Sequence, residues 1–269
     1  STSSCVAKGA TGGSQTKHLC YIHSPMRYIW DLQSQYFENI PFGRSIQSLL
    51  WPITKHLRQW DTTSSKRVDQ FIANSSFISK RVLNYYDRDS LIIHPPVNTH
   101  FFKPNKKIKK ENYFLIAGSF VPYKKFDLAI HAFNKLKLPL IVAGCGSQEK
   151  YLRKLAGKTI HFEISPSDQK MRTLLQKANA FIFPGIEDFG IIAVEAIASG
   201  TPVLAYNKGG ASDFVTPMRS GQFFEEQSVE SLIDCIKNYK KEDYQQDILL
   251  KSADCFSQES FESKMRQQI

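Results

Sequence analysis

Glu187 and Glu195, with seven residues between them, frame the segment of this chain richest in chemistry: Phe181-Ile-Phe-Pro-Gly-Ile-Glu187-Asp-Phe-Gly190-Ile-Ile-Ala-Val-Glu195. Pro184 and Gly185 break an apolar strand, so Glu187 is expected on the loop at that strand's carboxyl end. Gly190 lets backbone N–H groups approach a ligand closely where a helix begins, and a helix N-terminus favours phosphate. Glu195 follows about 9 Å along the helix axis, its side chain leaning back toward the N-terminus. The segment thus offers a carboxylate, an anion cradle and a second carboxylate in succession. The hexose hydroxyls, diphosphate and ribose hydroxyls of a nucleotide sugar match them in the same order. Each feature alone also has an ordinary explanation. An acid at a helix start complements the dipole, Lys124-Lys125 is a solvated pair ahead of a helix, and His23, closing a strand, is a satisfied core histidine.

The elements that must position these groups are legible from Asn112 onward. Apolar runs at Tyr113–Ala117, Leu140–Ala143, Thr159–Phe162, Ala180–Phe183 and Pro202–Ala205 alternate with helical patterns. Phe126, Ala129, Ile130, Phe133 and Leu136 recur at helical spacing. Further helices are expected over Gln148–Leu155, Asp168–Ala178 and Phe189–Ser199. Strands alternating with helices through short Gly/Pro loops imply a parallel sheet of Rossmann type, with ligands at the strands' carboxyl ends. Before Asn112 the pattern is less regular, with strand candidates at Leu19–Ile22, Gln70–Ala73 and Leu91–Ile93. Asn98–Lys110, rich in Asn, Lys and Pro, reads as an inter-domain linker. The fold class is therefore α/β, one complete Rossmann-like domain preceded by an incomplete one. The expected divisions are 1–104, 105–255 and a C-terminal helix, 256–269, crossing back to the first domain.

Composition narrows the classes. The 269 residues are 42% apolar, 12% aromatic and 22% charged, which excludes a disordered, collagenous or coiled-coil chain. Apolar runs are too short to span a bilayer, and residues 1–17 lack the apolar stretch of a signal peptide. The five cysteines, Cys5, Cys20, Cys145, Cys235 and Cys255, share no metal-ligand spacing and read as reduced thiols of a cytoplasmic protein. Thirty-five Lys and Arg against 25 Asp and Glu give a net charge of +10, which attracts anionic partners without choosing among them.

The glutamate pair resembles the signature of retaining glycosyltransferases of family 4, which have the GT-B fold, and the resemblance covers nearly the whole chain. Cys20-Tyr-Ile-His23-Ser-Pro-Met-Arg-Tyr-Ile-Trp-Asp31 is similar to a block of bacterial mannosyltransferases that build O-antigen and exopolysaccharide. Leu57-Arg-Gln-Trp-Asp61, Arg67-Val-Asp69, Asn74-Ser75, Pro95-Pro-Val97, Val121-Pro-Tyr-Lys124-Lys-Phe-Asp-Leu128 and Gly209-Gly210 fit the same subgroup in the same order. The resemblance implies that Lys124 neutralises the donor diphosphate, while the neighbouring family arginine falls on Ser119. It implies that Glu187 holds the sugar hydroxyls and Glu195 the ribose. Backbone N–H groups of Phe189, Gly190, Ile191 and Ile192 would cradle the diphosphate, and His23 would lie at the sugar. Gly144 and Gly146 would lie beside the nucleoside, with Ile164 near the base. The implied donor is GDP-mannose, with UDP-sugars second, and the implied acceptor is lipid-linked or a glycan. Neither cofactor nor metal is implied, and the expected location is cytoplasmic, with peripheral contact at the inner face of the cytoplasmic membrane as an option.

Other readings stay open. Trp51, Lys55, His56, Arg58, Trp60, Lys66 and Arg67 interleave basic and aromatic residues and would suit an anionic membrane face. Nucleic acid ranks low, since no recognised motif is present. Asp87-Arg88-Asp89 has the Asp-x-Asp form of a metal-nucleotide site, but it follows a helical stretch and reads as a surface turn. Gly144-Cys-Gly146 is a poor dinucleotide fingerprint because position 149 is Glu. The His23 block stands early compared with the family, so the acceptor half is expected to be truncated, with donor binding retained and transfer weak. A truncated, inactive nucleotide-sugar-binding or membrane-binding remnant is the alternative.

Overall fold

A computed structural model describes residues 1–3, 6–13, 15–30, 50–105 and 107–269. Cys5 and Asp31 lie outside the described residues. The chain divides by contacts into two units, Ser1–His94 and Pro95–Ile269.

The first unit carries a parallel sheet of β1 (Thr2–Ser3), β2 (Leu19–Ile22), β3 (Gln70–Ala73) and β4 (Ser90–Ile92), in that spatial order. Helices α1 (Trp51–Ser65) and α2 (Ser76–Tyr86) accompany it. Its core gathers Ile22, Phe71, Ile78, Val82 and Tyr86. Ser75 caps α2 by accepting from the Ile78 amide, and Asp87 ends it in the left-handed conformation at φ 53°. Asp87-Arg88-Asp89 is thus a helix-ending turn, with Arg88 donating to the carbonyls of Ser65, Val68 and Asp69.

The second unit runs β5 (Phe114–Ser119), α3 (Phe126–Leu136), β6 (Leu140–Cys145), α4 (Glu149–Leu155), β7 (Ile160–Ile164), α5 (Asp168–Lys177), β8 (Phe181–Phe183), α6 (Ile191–Ala198), β9 (Val203–Tyr206), β10 (Gly221–Phe224), α7 (Val229–Asn238), α8 (Gln246–Asp254) and α9 (Gln258–Arg266). Every strand pair is parallel, in the order β10-β9-β8-β5-β6-β7. Alternate strand residues feed two cores. Leu115, Ala117, Phe181, Phe183, Val203 and Ala205 enter one; Phe114, Ile116, Ile182, Leu204 and Tyr206 enter the other. A parallel sheet covered on both faces needs continuous apolar strands, which is why these runs are readable in the sequence.

The segment Asn98–Lys110 is not a free linker. The Val97 amide donates to the Phe256 carbonyl at 2.8 Å, Phe102 is buried in a core of this unit, and Gln176 Nε2 donates to the Lys103 carbonyl at 2.6 Å. Polar composition suggested a tether, but backbone bonds fasten the segment, and the contact division falls at His94/Pro95 rather than 104/105. The last helix groups with this second unit, where Glu259 meets His100 at 2.9 Å.

Candidate functional site

In the second sheet the chain runs outward from β5 to β6 and β7, then returns to the other side of β5 with β8. The crevice at the carboxyl ends of β5 and β8 is therefore the topological switch point, where open α/β sheets bind ligands. The sequence-derived residues, His23 apart, belong to this unit, and several converge on this edge.

Register brings three of them into line across the sheet ends. Ser119 of β5 pairs with Cys145 of β6, and Gly144 pairs with Gly118 on one side and Ile164 of β7 on the other. A Cβ on Gly144 would lie 1.9 Å from the Gly118 carbonyl oxygen, so only glycine fits there. Gly146 is held against Phe120, whose amide would be 2.6 Å from an added Cβ. Ser119 and Ile164 are exposed at the strand ends.

Lys124 ends a 3-10 turn, Pro122–Lys124, and Lys125 at φ 56° redirects the chain into α3. Lys124 Nζ lies 3.0 Å from Glu187 Oε1, with the two side chains 14% and 17% exposed. A Cβ on Gly118 would come 3.0 Å from that ammonium, and one on Gly185 2.8 Å from the Lys124 Cα. Glycines thus let the turn and the Glu187 loop close on each other across the switch point.

Gly190 adopts φ 112° and begins α6 with no side-chain cap. The first amides of that helix, at Ile191 and Ile192, are left available to an anion. Phe189 is 3% exposed and packs on Phe214 and Phe256, so its ring is core and its backbone alone faces the task assigned to it. Glu195 lies in the second turn of α6. Burial pushes its carboxyl up to about 7, and the nearby charge of Asp168, at the start of α5, adds to the rise. The sequence reading gave Glu195 no such neighbour.

Two further supports carried no stated role in the sequence. The Gly210 amide donates to the Glu187 carbonyl at 2.8 Å, and a Cβ there would meet the Asp188 oxygen and Phe189 Cα at 2.5 Å. Gln227 Nε2 donates to the Pro184 carbonyl at 2.8 Å. Together they brace the loop that carries Glu187.

His23 lies in the first unit, exposed at the end of β2. Its carbonyl accepts from Asn74 Nδ2 at 3.1 Å, and its ring meets Tyr21 edge-on at 5.3 Å. The segment after it is fastened by Arg81 to Ser24 Oγ, and by Arg58 to the Ile29 carbonyl at 2.7 Å. The basic–aromatic stretch divides accordingly. Trp51, Lys55, His56 and Lys66 are exposed. Arg58 is engaged with Trp30, Trp60 with Lys8, and Arg67 with the Gly9 carbonyl. Arg58 and Trp60 thus serve as scaffold, while Trp51, Lys55, His56, Lys66 and Arg67 stay exposed. Among the described residues no helix is long and apolar enough to cross a membrane. No group of three His, Cys, Asp or Glu among them is placed to hold a metal ion.

Two Rossmann-like parallel sheets are the layout of the GT-B class of fold. Solved structures agree. A sucrose-phosphate synthase from Thermosynechococcus elongatus superposes with TM-score 0.74 at 17% identity, over 93% of this chain and 66% of its own. Anabaena HepE, solved with UDP and glucose, gives 0.68 at 15% identity over 93% and 77%. Residues 97–258 match the model of the glycosyl transferases group 1 family, and the chain belongs to that family. Curated relatives include a GDP-Man:Man(3)GlcNAc(2)-PP-Dol alpha-1,2-mannosyltransferase of Xenopus laevis, 27% identical over 82% of this chain and 51% of the relative. An O-antigen chain mannosyltransferase of Salmonella typhimurium is 31% identical over 52% of this chain and 43% of the relative. The chain spans about half the length of the curated relatives it matches.

Proposed function

We propose that this chain binds a nucleotide-diphosphate hexose and serves a retaining hexosyl transfer, with GDP-mannose as donor and a lipid-linked or glycan acceptor. The observation that carries the reading is the Lys124–Glu187 pair at the switch point, beside the uncapped start of α6. A donor diphosphate would draw Lys124 away from Glu187 and fill the cradle of α6 amides. Glu187, released, would accept hydrogen bonds from the hexose hydroxyls, and Glu195 from the ribose.

In the reaction the bond between the anomeric carbon and the diphosphate oxygen breaks. The acceptor hydroxyl oxygen bonds to that carbon from the same face, and its proton passes to the leaving diphosphate. Lys124 and the helix dipole oppose the negative charge gathering on that leaving group, the kind of electrostatic stabilisation that dominates many catalysed reactions. The mannosyl choice is supported by relatives named as mannosyltransferases; neighbours solved with UDP keep UDP-sugars as the second donor class. Exposed Trp51, Lys55 and His56 would favour contact with an anionic membrane on the acceptor's side. Calorimetry with GDP, UDP and ADP, each free and as its sugar, decides the donor. Tight UDP and absent GDP binding would overturn the mannosyl assignment.

A further inference from the structure

The second sheet has another recess, at the opposite ends of its strands. A cavity of about 520 Å³ opens there, lined by residues that precede the strands: Lys110 ahead of β5, Asn179 ahead of β8, Ser199 ahead of β9. The switch-point crevice lies at the carboxyl ends of the same strands, so the two sites are separate.

Two lysines and one acid line this cavity. Lys110 donates from Nζ to Thr201 Oγ1, whose own proton goes to the Leu175 carbonyl. Among the described residues no carboxylate lies within ion-pair distance of Lys110. Lys241 lines the same space. Burial, and then the neighbouring Lys241 charge, pull the Lys110 ammonium down to about 7. Ser199 is 2% exposed, and its hydroxyl finds no partner. Helix α8 begins at Gln246, also on the lining, with no side-chain cap on its first amides. Glu242 is the one acid among the lining residues.

A half-buried lysine serving structure alone would be expected beside a carboxylate, or replaced by a neutral donor to Thr201. Here two lysines, one acid, an unpartnered hydroxyl and an uncapped helix start share one volume. We propose that this cavity is a binding site for a small phosphate monoester, its oxyanion held between Lys110 and Lys241. Donor count favours phosphate over carboxylate, because its several oxygens can accept from both lysines and the Ser199 hydroxyl at once. Size favours an esterified phosphate over the bare ion, since cavities of this volume accommodate small metabolites. Amides of Asn105 and Gln246 on the lining suit a hydroxylated organic part.

The test is NMR of the full chain with its lysines reductively ¹³C-methylated, titrated with inorganic phosphate, glucose 6-phosphate and acetate at constant ionic strength. Lys110 should titrate near neutrality alone, and move up by about one unit or more with either phosphate, as ion pairing does to a cation. Acetate should leave it in place. Calorimetry on unlabelled protein should show Lys110→Met weakening glucose 6-phosphate about tenfold or more, the scale of one charged hydrogen bond. Lys124→Met should leave this site intact, since it alters only the switch-point cradle. Lys241→Met, on the exposed rim, should also weaken binding, and decides the matter if Lys110→Met fails to fold. Unchanged phosphate affinity in folded variants, a Lys110 signal indifferent to phosphate, or acetate binding equally well would each overturn the proposal.

Discussion

Each unit contains a lysine–carboxylate pair, and they are built for opposite ends. In the first unit Lys8 meets Asp61 with both side chains essentially without solvent, at 1% and 0% exposure. The second carboxylate oxygen accepts from Trp30 Nε1 and Tyr86 Oη, each at 2.9 Å. The Lys8 ammonium also lies over the rings of Trp60 and Tyr86, at 5.1 and 5.6 Å. Asp61 is answered on both oxygens, and the Tyr86 phenol is pushed far up by burial and by that carboxylate. No ligand could enter without dismantling the unit. Lys124 and Glu187, by contrast, meet through one contact at the mouth of a crevice, with both side chains partly exposed. An ion pair that is fully enclosed and fully hydrogen-bonded holds a structure together. One that is partly open and singly bonded can exchange its partner for a substrate.

The largest effect should come from breaking the enclosed pair. Asp61→Ala strands a buried ammonium together with the Trp30 and Tyr86 donors, and should destabilise the first unit by about 3–5 kcal/mol. The three tryptophans, Trp30, Trp51 and Trp60, all lie in that unit. Their fluorescence during urea unfolding therefore reports it alone. Lys8→Met with Asp61→Leu should recover part of the loss, leaving the Trp30 and Tyr86 donors unanswered. A midpoint unmoved by Asp61→Ala would erase the contrast between the pairs.

Breaking the open pair should act on binding instead of stability. Lys124→Met should weaken nucleoside diphosphate by roughly 1.5–3 kcal/mol, the scale of a hydrogen bond to a charged group. The thermal midpoint should hardly move. Glu187→Gln should spare or slightly improve free nucleoside diphosphate, since it frees Lys124, and should weaken the sugar nucleotide. If both variants lost both ligands equally in calorimetry, the division of labour would fail. Gly210→Ala tests the brace: its Cβ has no room against the Asp188 carbonyl. It should weaken the nucleotide by about 1 kcal/mol or more through loop displacement. Affinity equal to the parent chain's would show that the loop does not depend on that contact.

How much of this was legible follows the same division. Strands β2 and β3 fall where their short apolar runs put them, and α3 buries Phe126, Ala129, Ile130 and Phe133 as the spacing requires. Local pattern encodes these elements because burial on both sheet faces selects apolar runs. Strand β10, which begins with glycine at the sheet edge, left no such trace. The Lys8–Trp30–Asp61–Tyr86 network was equally invisible, because its members are far apart in sequence and no spacing joins them. Residues Glu187, Lys124 and Glu195 could be named, but not the pairing of the first two, nor the carboxylate of Asp168 beside the third. Gly209-Gly210 was visible as a block without a purpose. Its purpose is a contact with Asp188 and Phe189, which only the folded loop supplies.

A third carboxylate, Glu195, stands between the two pairs: partly exposed like Glu187, but with no lysine within ion-pair distance among the described residues. Its carboxyl is raised to about 7 in the folded chain, first by burial and then by Asp168. The unfolded chain would ionise it near its ordinary value, about 4.3. Between those two values the folded state holds the extra proton. Stability from this group is therefore fully present below about pH 4.3, and is lost as pH rises through about 7. Glu195→Gln removes the proton exchange while keeping the shape. The thermal midpoint of the parent chain minus that of Glu195→Gln should accordingly fall from pH 5 to pH 7.5. Taking the difference cancels other titrating groups, including Lys110, whose lowered value makes stability rise with pH above about 7. A difference that stayed level, or climbed with pH, would mean that Glu195 is ionised at ordinary acidity. Its carboxyl would then face water rather than the desolvating pocket that raises it here.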